Sequence, residues 1–212
     1  MEIIQKEDKK NSVIKWIDEY IDDHIVSSAG EISAYVNKLR EQNPKISDKD
    51  LARKIVNRKS FKNGLVGAAT GVGGLITLPV TVPVDIVATW KIQITLAFAI
   101  ANVFGHTKDT TDLRTDVYII LAGSASQEAL KKVGIQVGRE ITKRAIQKNL
   151  NKEIMMKIWK IIPQKIITKS GQKSLTSFSK MIPLIGAPIG FGFDYFGTRA
   201  LGSFAIKYYS GN

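Results

Sequence analysis

An all-α fold is predicted for this chain: a multi-helix bundle in which two apolar elements rich in glycine and proline pack together. Three observations predict it. Apolar residues recur at three- and four-residue spacing in the stretches 11–62 and 115–180, the period of one face of a helix. Two further stretches, 64–104 and 181–206, share prolines, repeated glycines and isolated charges. A length of 212 residues with 44% hydrophobic residues suits one well-buried domain, and a mean hydropathy of −0.03 is below that of a multi-span channel.

The first helix is amphipathic. Val13, Trp16, Ile17, Tyr20, Ile21 and Ile25 form its apolar stripe, with Lys15, Asp18, Glu19, Asp22 and Asp23 between them. A second helix is expected from about Glu31 to Glu41, stopping before Asn43-Pro44 because proline disfavours helix in the residue ahead of it. Ser47 with Asp50 three positions on resembles a capping box and starts a third helix near Asp48, expected to run to about Phe61.

GLVGAATGVGGLITLPVTVPV, residues 64–84, carries no charge over 21 positions, enough to cross a hydrocarbon layer of about 30 Å as a helix. Its glycines and the prolines at 79 and 83 argue against one straight span. Gly67 and Gly71 instead leave a cleft where another backbone can come close; Gly74, Gly186 and Gly190 are expected to act likewise.

Pro83 suits the first turn of the next helix, which places Asp85 near the positive end of the helix dipole and runs to about Phe104. Lys91 lies about 120° around that helix from Asp85, so the two do not pair within it. Gln93 shares a polar edge with Thr89, and Lys91 is expected to snorkel to the rim. GHTKDTTD, residues 105–112, reads as a turn. The helical pattern resumes from about Thr115 through Tyr118, Ile119 and Leu121. Further on, Met155, Ile158, Trp159, Ile162 and Ile166 form a stripe opposite Lys157 and Lys160, with a kink or stop expected at Pro163.

Net charge is +12, and residues 128–180 hold +10 of it, with thirteen basic residues against three acidic. Arg139, Lys143, Arg144, Lys157 and Lys160 in this stretch are the residues expected to face anionic lipid. Without cysteine, disulfides and thiolate chemistry are excluded. His24 and His106 lack metal-ligand spacing and read as surface or helix-end residues, so no metal and no cofactor is expected. The densely charged start MEIIQKEDKKNSVIKWIDEYIDD lacks the apolar core of a secretory signal; a cytoplasmic protein is expected.

GLVGAATGVGGLITLPVTVP, DIVATWKIQITLAFAIANVFGH and IPLIGAPIGFGFDYFGTRALG, in that order, resemble the EcsC protein family over about residues 30–208. The resemblance implies a predominantly helical bacterial protein, and the founding member's link to an ABC transporter operon implies work near the membrane from the cytoplasmic side. Asp85, Gln93, Gly105, Gly186 and Asp194 fall where the family pattern has matching residues. Phe104 and Thr107 depart from it, since relatives more usually show tyrosine and aspartate around that turn.

No nucleophile elbow, phosphate-cradling glycine loop or metal cluster is present in the sequence. Asp85, Lys91, Gln93, Asp194 and Arg199, with Tyr195 beside them, form the candidate polar cluster; capping and tying the two apolar elements together is the structural alternative. Residues 1–62 are expected to supply amphipathic helices to the domain of 63–212. The expectation for function is a non-enzymatic accessory protein at the inner face of the cell membrane. Its partner would be an anionic membrane surface or a membrane protein, with a hydrophobic ligand in a glycine-lined groove as a further candidate. A basic nucleic-acid-binding protein is the alternative. The apolar elements either enter the bilayer as hairpins or form a globular core; the core is preferred, because the amphipathic stripes need something to cover them.

Overall fold

The computed structural model describes residues 15–24, 27–72, 84–107, 110–123, 143–147, 150–156, 158 and 183–211. Of these, residues 70–72, 84–86, 110–111, 123, 145 and 183–189 are described by their backbone alone. Every regular element among the described residues is an α-helix: α1 (residues 15–24), α2 (Ala29–Glu41), α3 (Asp48–Val72), α4 (Val84–Val103), α5 (Thr110–Gly123), α6 (Lys143–Gln147), α7 (residues 152–156) and α8 (Pro183–Ser210).

Of the stripe expected on α1, Ile17 and Ile21 are buried and Trp16 and Tyr20 half-buried, while Val13 and Ile25 lie outside the described residues. Ile17 and Ile21 of α1, and Ile32, Val36 and Leu39 of α2, lie in the core. Each such aliphatic side chain stabilises by about 1.5–3 kcal/mol on full burial. Arg114 of α5 ties α1 down through ion pairs to Asp18 at 2.9 Å and Asp22 at 3.3 Å, and Tyr118 donates its hydroxyl proton to Asp18. Lys91 is exposed with its ammonium 5.3 Å from the centre of the Tyr20 ring on α1, a rim position of the kind expected for it.

α3 begins as predicted. The Asp50 N–H donates to Ser47 Oγ at 3.2 Å, and the Ser47 hydroxyl donates to the Asp50 carboxylate at 2.6 Å. It does not end at Phe61 but continues to Val72. Helix propensity alone disfavours that glycine-bearing continuation; packing against α8 carries it. α5 likewise begins at Thr110 rather than near Thr115, with Asp112 in its first turn facing the helix dipole.

α4 is the centre of the bundle and packs against α2, α3, α5 and α8. Trp90, Ile94, Leu96 through Ala101, and Val103 are all buried. A helix apolar on every side belongs inside a core or a bilayer; here protein covers it, which accounts for its membrane-like sequence. Among the described residues no helix is long and apolar enough to cross a membrane. The C-terminus of α4 closes with Gly105 at φ +77°, where the Gly105 N–H donates to the Asn102 carbonyl and the His106 N–H to that of Ala101, the Schellman arrangement. Arg40 donates to the Val103 carbonyl at 2.7 Å.

The two glycine-rich elements meet as expected. α3 and α8 run antiparallel, with Val56 against Gly202, Asn63 against Asp194, Gly64 against Phe191 and Gly67 against Gly190. A Cβ on Gly67 would drive into the Gly190 carbonyl and sit 2.6 Å from a carboxylate oxygen of Asp194; one on Gly190 would meet the Gly67 carbonyl in turn. The cleft that the sequence reading opened to a partner helix or a lipid is thus filled at Gly67 and Gly190 by the protein's own backbone. α8 is one helix through Pro188, not a hairpin, with Pro183 at the first position, where a missing N–H costs nothing. Gly186 lies on it, and Gly71 near the end of α3, both described by backbone alone; Gly74 falls outside the described residues.

α3 passes without interruption across the division between residues 62 and 63, and buried side chains from both sides share one core. Trp159, Ile162, Pro163 and Ile166 lie outside the described residues; of the expected stripe Ile158 is buried and Met155 half-buried, and Ile154, which the stripe did not include, is buried as well.

The glycine contact is open to direct test. Gly67→Ala or Gly190→Ala should lower stability by about 1–3 kcal/mol or more through overpacking against main chain. Gly30→Ala, whose added Cβ meets nothing within 4 Å, should instead raise it by about 0.5–1 kcal/mol. Chemical denaturation of the three variants reads both signs.

Candidate functional site

The α3–α8 contact and the central α4 together enclose a group of polar side chains. Ser60 and Asn63 are one turn apart on α3, Thr89 and Gln93 one turn apart on α4, and Asp194 and Thr198 one turn apart on α8. Spacings of three and four put each pair on one helix face. All six are buried, five of them completely and Gln93 to all but 8%. Asn63 Nδ2 donates to Thr198 Oγ1 at 2.7 Å and to the Asp194 carbonyl at 3.3 Å, and Gln93 Nε2 reaches Thr198 Oγ1 at 3.3 Å.

The bonding in this group is incomplete. Ser60 Oγ, Asn63 Oδ1 and Thr89 Oγ1 are sealed from solvent and make no hydrogen bond among the described residues. Each such buried group costs about 1–3 kcal/mol. The Asn63 orientation is not arbitrary: the Asp194 main-chain carbonyl only accepts, so the amide nitrogen must face it and Oδ1 must point elsewhere. Gly67 belongs to the site as well, because its missing side chain makes room for the Asp194 carboxylate.

Of the polar cluster expected from the sequence, the structure gathers Gln93 and Asp194. Lys91 sits over Tyr20 on the rim, and Arg199 is exposed, donating to Tyr195 Oη at 2.8 Å. Asp85 lies in the first turn of α4 as expected, described by its backbone alone. Sequence reasoning missed Ser60, Asn63 and Thr198 as members. One signal was available: Thr198 stands four residues after Asp194, as Gln93 does after Thr89, so each helix offered a polar pair on one face.

Outside the α3–α8 pair a continuous aromatic ridge runs between the two helices. Phe61 meets Phe191 edge to face at 5.7 Å, Phe191 stacks on Tyr195 at 5.6 Å, and Tyr195 meets Phe196 at 5.3 Å. Among the described residues, the large apolar side chains exposed to solvent are Phe61 and Phe196 of this ridge, Leu65 one turn after Phe61 on α3, Phe193 three residues before Phe196 on α8, and Met156. Phe196 is 67% exposed and Phe61 55%, far from the burial such residues usually have. Arg58, Lys62 and Arg199 are exposed around them.

A second polar cluster ties α5, α6 and α8 together, and it corrects one expectation. Lys143, assigned from the sequence to the lipid-facing set, is buried at 8% exposure, with its ammonium 2.8 Å from Asp116 and 3.5 Å from Asp112. Its charge is used inside the protein because Asp116 is completely buried and needs a counterion. Tyr208 donates to the same carboxylate at 2.6 Å. Arg144 is exposed, whereas Arg139, Lys157 and Lys160 lie outside the described residues.

Burial dominates the electrostatics of this region. It pushes the Asp116 carboxyl up against the opposing pull of Lys143, and pushes the Tyr208 and Tyr209 phenols up as well. His106, stacked on Tyr209 at 5.0 Å, is held below the usual imidazole range by burial and then by Lys143. His24 lies between Tyr20 and Phe98 and is held down by burial and then by Lys59.

Both rings therefore take up a proton less readily in the folded chain than in the unfolded one. Their contribution to stability is present above the ordinary imidazole value of about 6.5 and lost as pH falls through the depressed folded values. Asp116 pulls the other way: its raised pKa favours the folded state while protonated and loses that contribution as pH rises through the raised value. Thermal midpoints at pH 7.5 and 5.5 should fall with acid in the parent chain. The fall should be smaller in a His24→Gln/His106→Gln variant, in which Asp116 is unchanged.

Neither a curated protein nor a solved structure matches the chain. The family model described as the EcsC protein family does match, over residues 7–210, nearly the whole length; with its all-helical bundle and the three glycine- and proline-marked segments in their expected order, the chain belongs to the EcsC protein family.

Proposed function

We propose that this protein is a non-enzymatic accessory factor that docks on an anionic membrane surface at the cytoplasmic face of the cell membrane, using the aromatic ridge of α3 and α8 as its contact. The observation that carries this reading is the exposure of Phe61, Leu65, Phe193 and Phe196 on the neighbouring helices α3 and α8, with Arg58, Lys62 and Arg199 exposed on the same two helices. Arg58, Phe61 and Leu65 follow one another on one face of α3, and Phe193, Phe196 and Arg199 on one face of α8. Apolar side chains inserted among acyl chains gain about 25 cal/mol per Å² of surface removed from water. Each basic residue held near an anionic surface adds about 1 kcal/mol.

Charge complementarity favours lipid over an apolar protein partner. The chain carries +12 overall, and Tyr195, with its hydroxyl held by Arg199, has the amphipathic ring that suits a headgroup boundary. Among the described residues the apolar stripes of the helices are consumed by the shared core, and the ridge is the apolar surface that remains exposed on α3 and α8. The exposed aromatics also distinguish this reading from nucleic-acid binding, which the basic residues alone would serve equally well.

Flotation with phosphatidylglycerol-containing vesicles tests it. Binding should depend on the anionic lipid, fall with added salt and weaken at least about tenfold in a Phe193→Ser/Phe196→Ser variant, a loss of about 1.4 kcal/mol. Both positions are exposed, so the fold should survive, as circular dichroism will report. Absence of vesicle binding, or binding indifferent to both substitutions, would overturn the proposal; retention on DNA or RNA without vesicle binding would favour the nucleic-acid reading.

A further inference from the structure

We infer that the buried polar group between α3, α4 and α8 is a binding site for a desolvated alkali-metal cation. Three features of the chemistry lead there. The first is a set of unmatched oxygens. Asn63 Nδ2 gives its two protons to Thr198 Oγ1 and the Asp194 carbonyl, and Gln93 Nε2 gives one to Thr198 Oγ1. Oxygen lone pairs are left over at Ser60, Asn63 and Thr89, all in completely buried side chains. A hydroxyl oxygen keeps lone pairs to offer whichever way its own proton turns, and a cation is attracted to each of them.

The second feature is charge. Asp194 supplies one formal negative charge, and the other five side chains are neutral. A carboxylate has about four acceptor positions, so it can ligate an ion while keeping other bonds. One carboxylate among neutral oxygens balances a single positive charge; divalent sites draw on more carboxylates or on phosphates. Among the described residues no group of three His, Cys, Asp or Glu side chains stands together.

The third feature is ligand type. Every available ligand atom is oxygen, which suits hard cations and excludes the thiolate and imidazole preferences of zinc or copper. Register brings the ligands level. α4 and α8 run in the same direction, since Gln93 meets Thr198 and, farther along, His106 meets Tyr209. Thr89 precedes Gln93 by one turn as Asp194 precedes Thr198, which sets Thr89 at the height of the carboxylate. Gly67 completes the arrangement from α3 by leaving space for that carboxylate. A bound ion would join the three helices at the centre of the bundle.

Thermal unfolding of the lipid-free full chain in sodium, potassium and choline chloride at equal ionic strength tests the site independently of membrane docking. One of the two alkali cations should raise the midpoint above both the other and choline. At a concentration about 100-fold above Kd the rise should be roughly 5–10 °C for a chain of this size. Thr89→Val keeps the shape of the side chain and removes one orphan oxygen. Its midpoint in choline should be equal to or above that of the parent, while the cation-specific rise disappears. Equal midpoints in all three salts, or an unchanged rise in Thr89→Val, would overturn the assignment and leave ordered water as the occupant. Should Thr89→Val not fold, anomalous scattering from crystals of the parent soaked in thallous ion decides: a peak among Asn63, Thr89 and Asp194 supports the site, and its absence there refutes it.

Discussion

The approach of main chain to main chain where α3 crosses α8 is the constraint from which the rest of the structure follows. At Gly67 and Gly190 neither helix has a side chain to hold the other away, and the carbonyl of each occupies the space a Cβ would need. Dispersion between two backbones is weak atom by atom and large in sum, and here it supports a continuation of α3 that propensity alone disfavours. The same contact sets the register of the two helices. It puts Asn63 within reach of Asp194 and Thr198, and it places Phe61 against Phe191 on the outside. One packing choice thus produces both the buried polar group and the aromatic ridge.

The protein handles buried polarity in two contrasting ways. Around Asp116, charge meets charge: Lys143 and Tyr208 both bond the carboxylate, and removing either would leave a costly uncompensated group. That cluster fastens the end of α8 to α5 and α6. Between α3, α4 and α8 the Asn63 and Gln93 amides donate to the Thr198 hydroxyl and the Asp194 carbonyl, while the oxygens of Ser60, Asn63 and Thr89 remain unmatched among the described residues. Buried groups are ordinarily satisfied. Those unmatched oxygens are what distinguish this group from the Asp116 cluster, whose carboxylate meets both a counterion and a phenol.

The ridge and the polar group are both built on the α3–α8 pair. Phe191 packs on Gly64 one residue away from Asn63, and Tyr195 follows Asp194 directly. Anything that shifts α8 along α3 would move both. The Gly67–Gly190 contact resists such sliding, because displaced main chain would meet the bulk of neighbouring side chains such as Val56 against Gly202.

Several local signals were legible along the chain, although the start of α5 at Thr110 was not. The Ser47–Asp50 cap, the Gly105 terminus of α4, the stripes of α1 and α2 and the all-helical class with its paired glycine-rich elements all depend on residues close in sequence or on periodicity, and so did the match to the family. Tertiary structure alone decided where α3 ends, since the contacts that carry it to Val72 come from residues more than a hundred positions away. It decided that Lys143 turns inward, because the partner that draws it in, Asp116, belongs to another helix. It also decided that Asn63, Gln93, Asp194 and Thr198 form one group while Lys91 and Arg199 do not. Periodicity assigns each residue a face on its own helix, but which faces meet is settled by how closely the helices can approach, and in this chain two glycines set that distance.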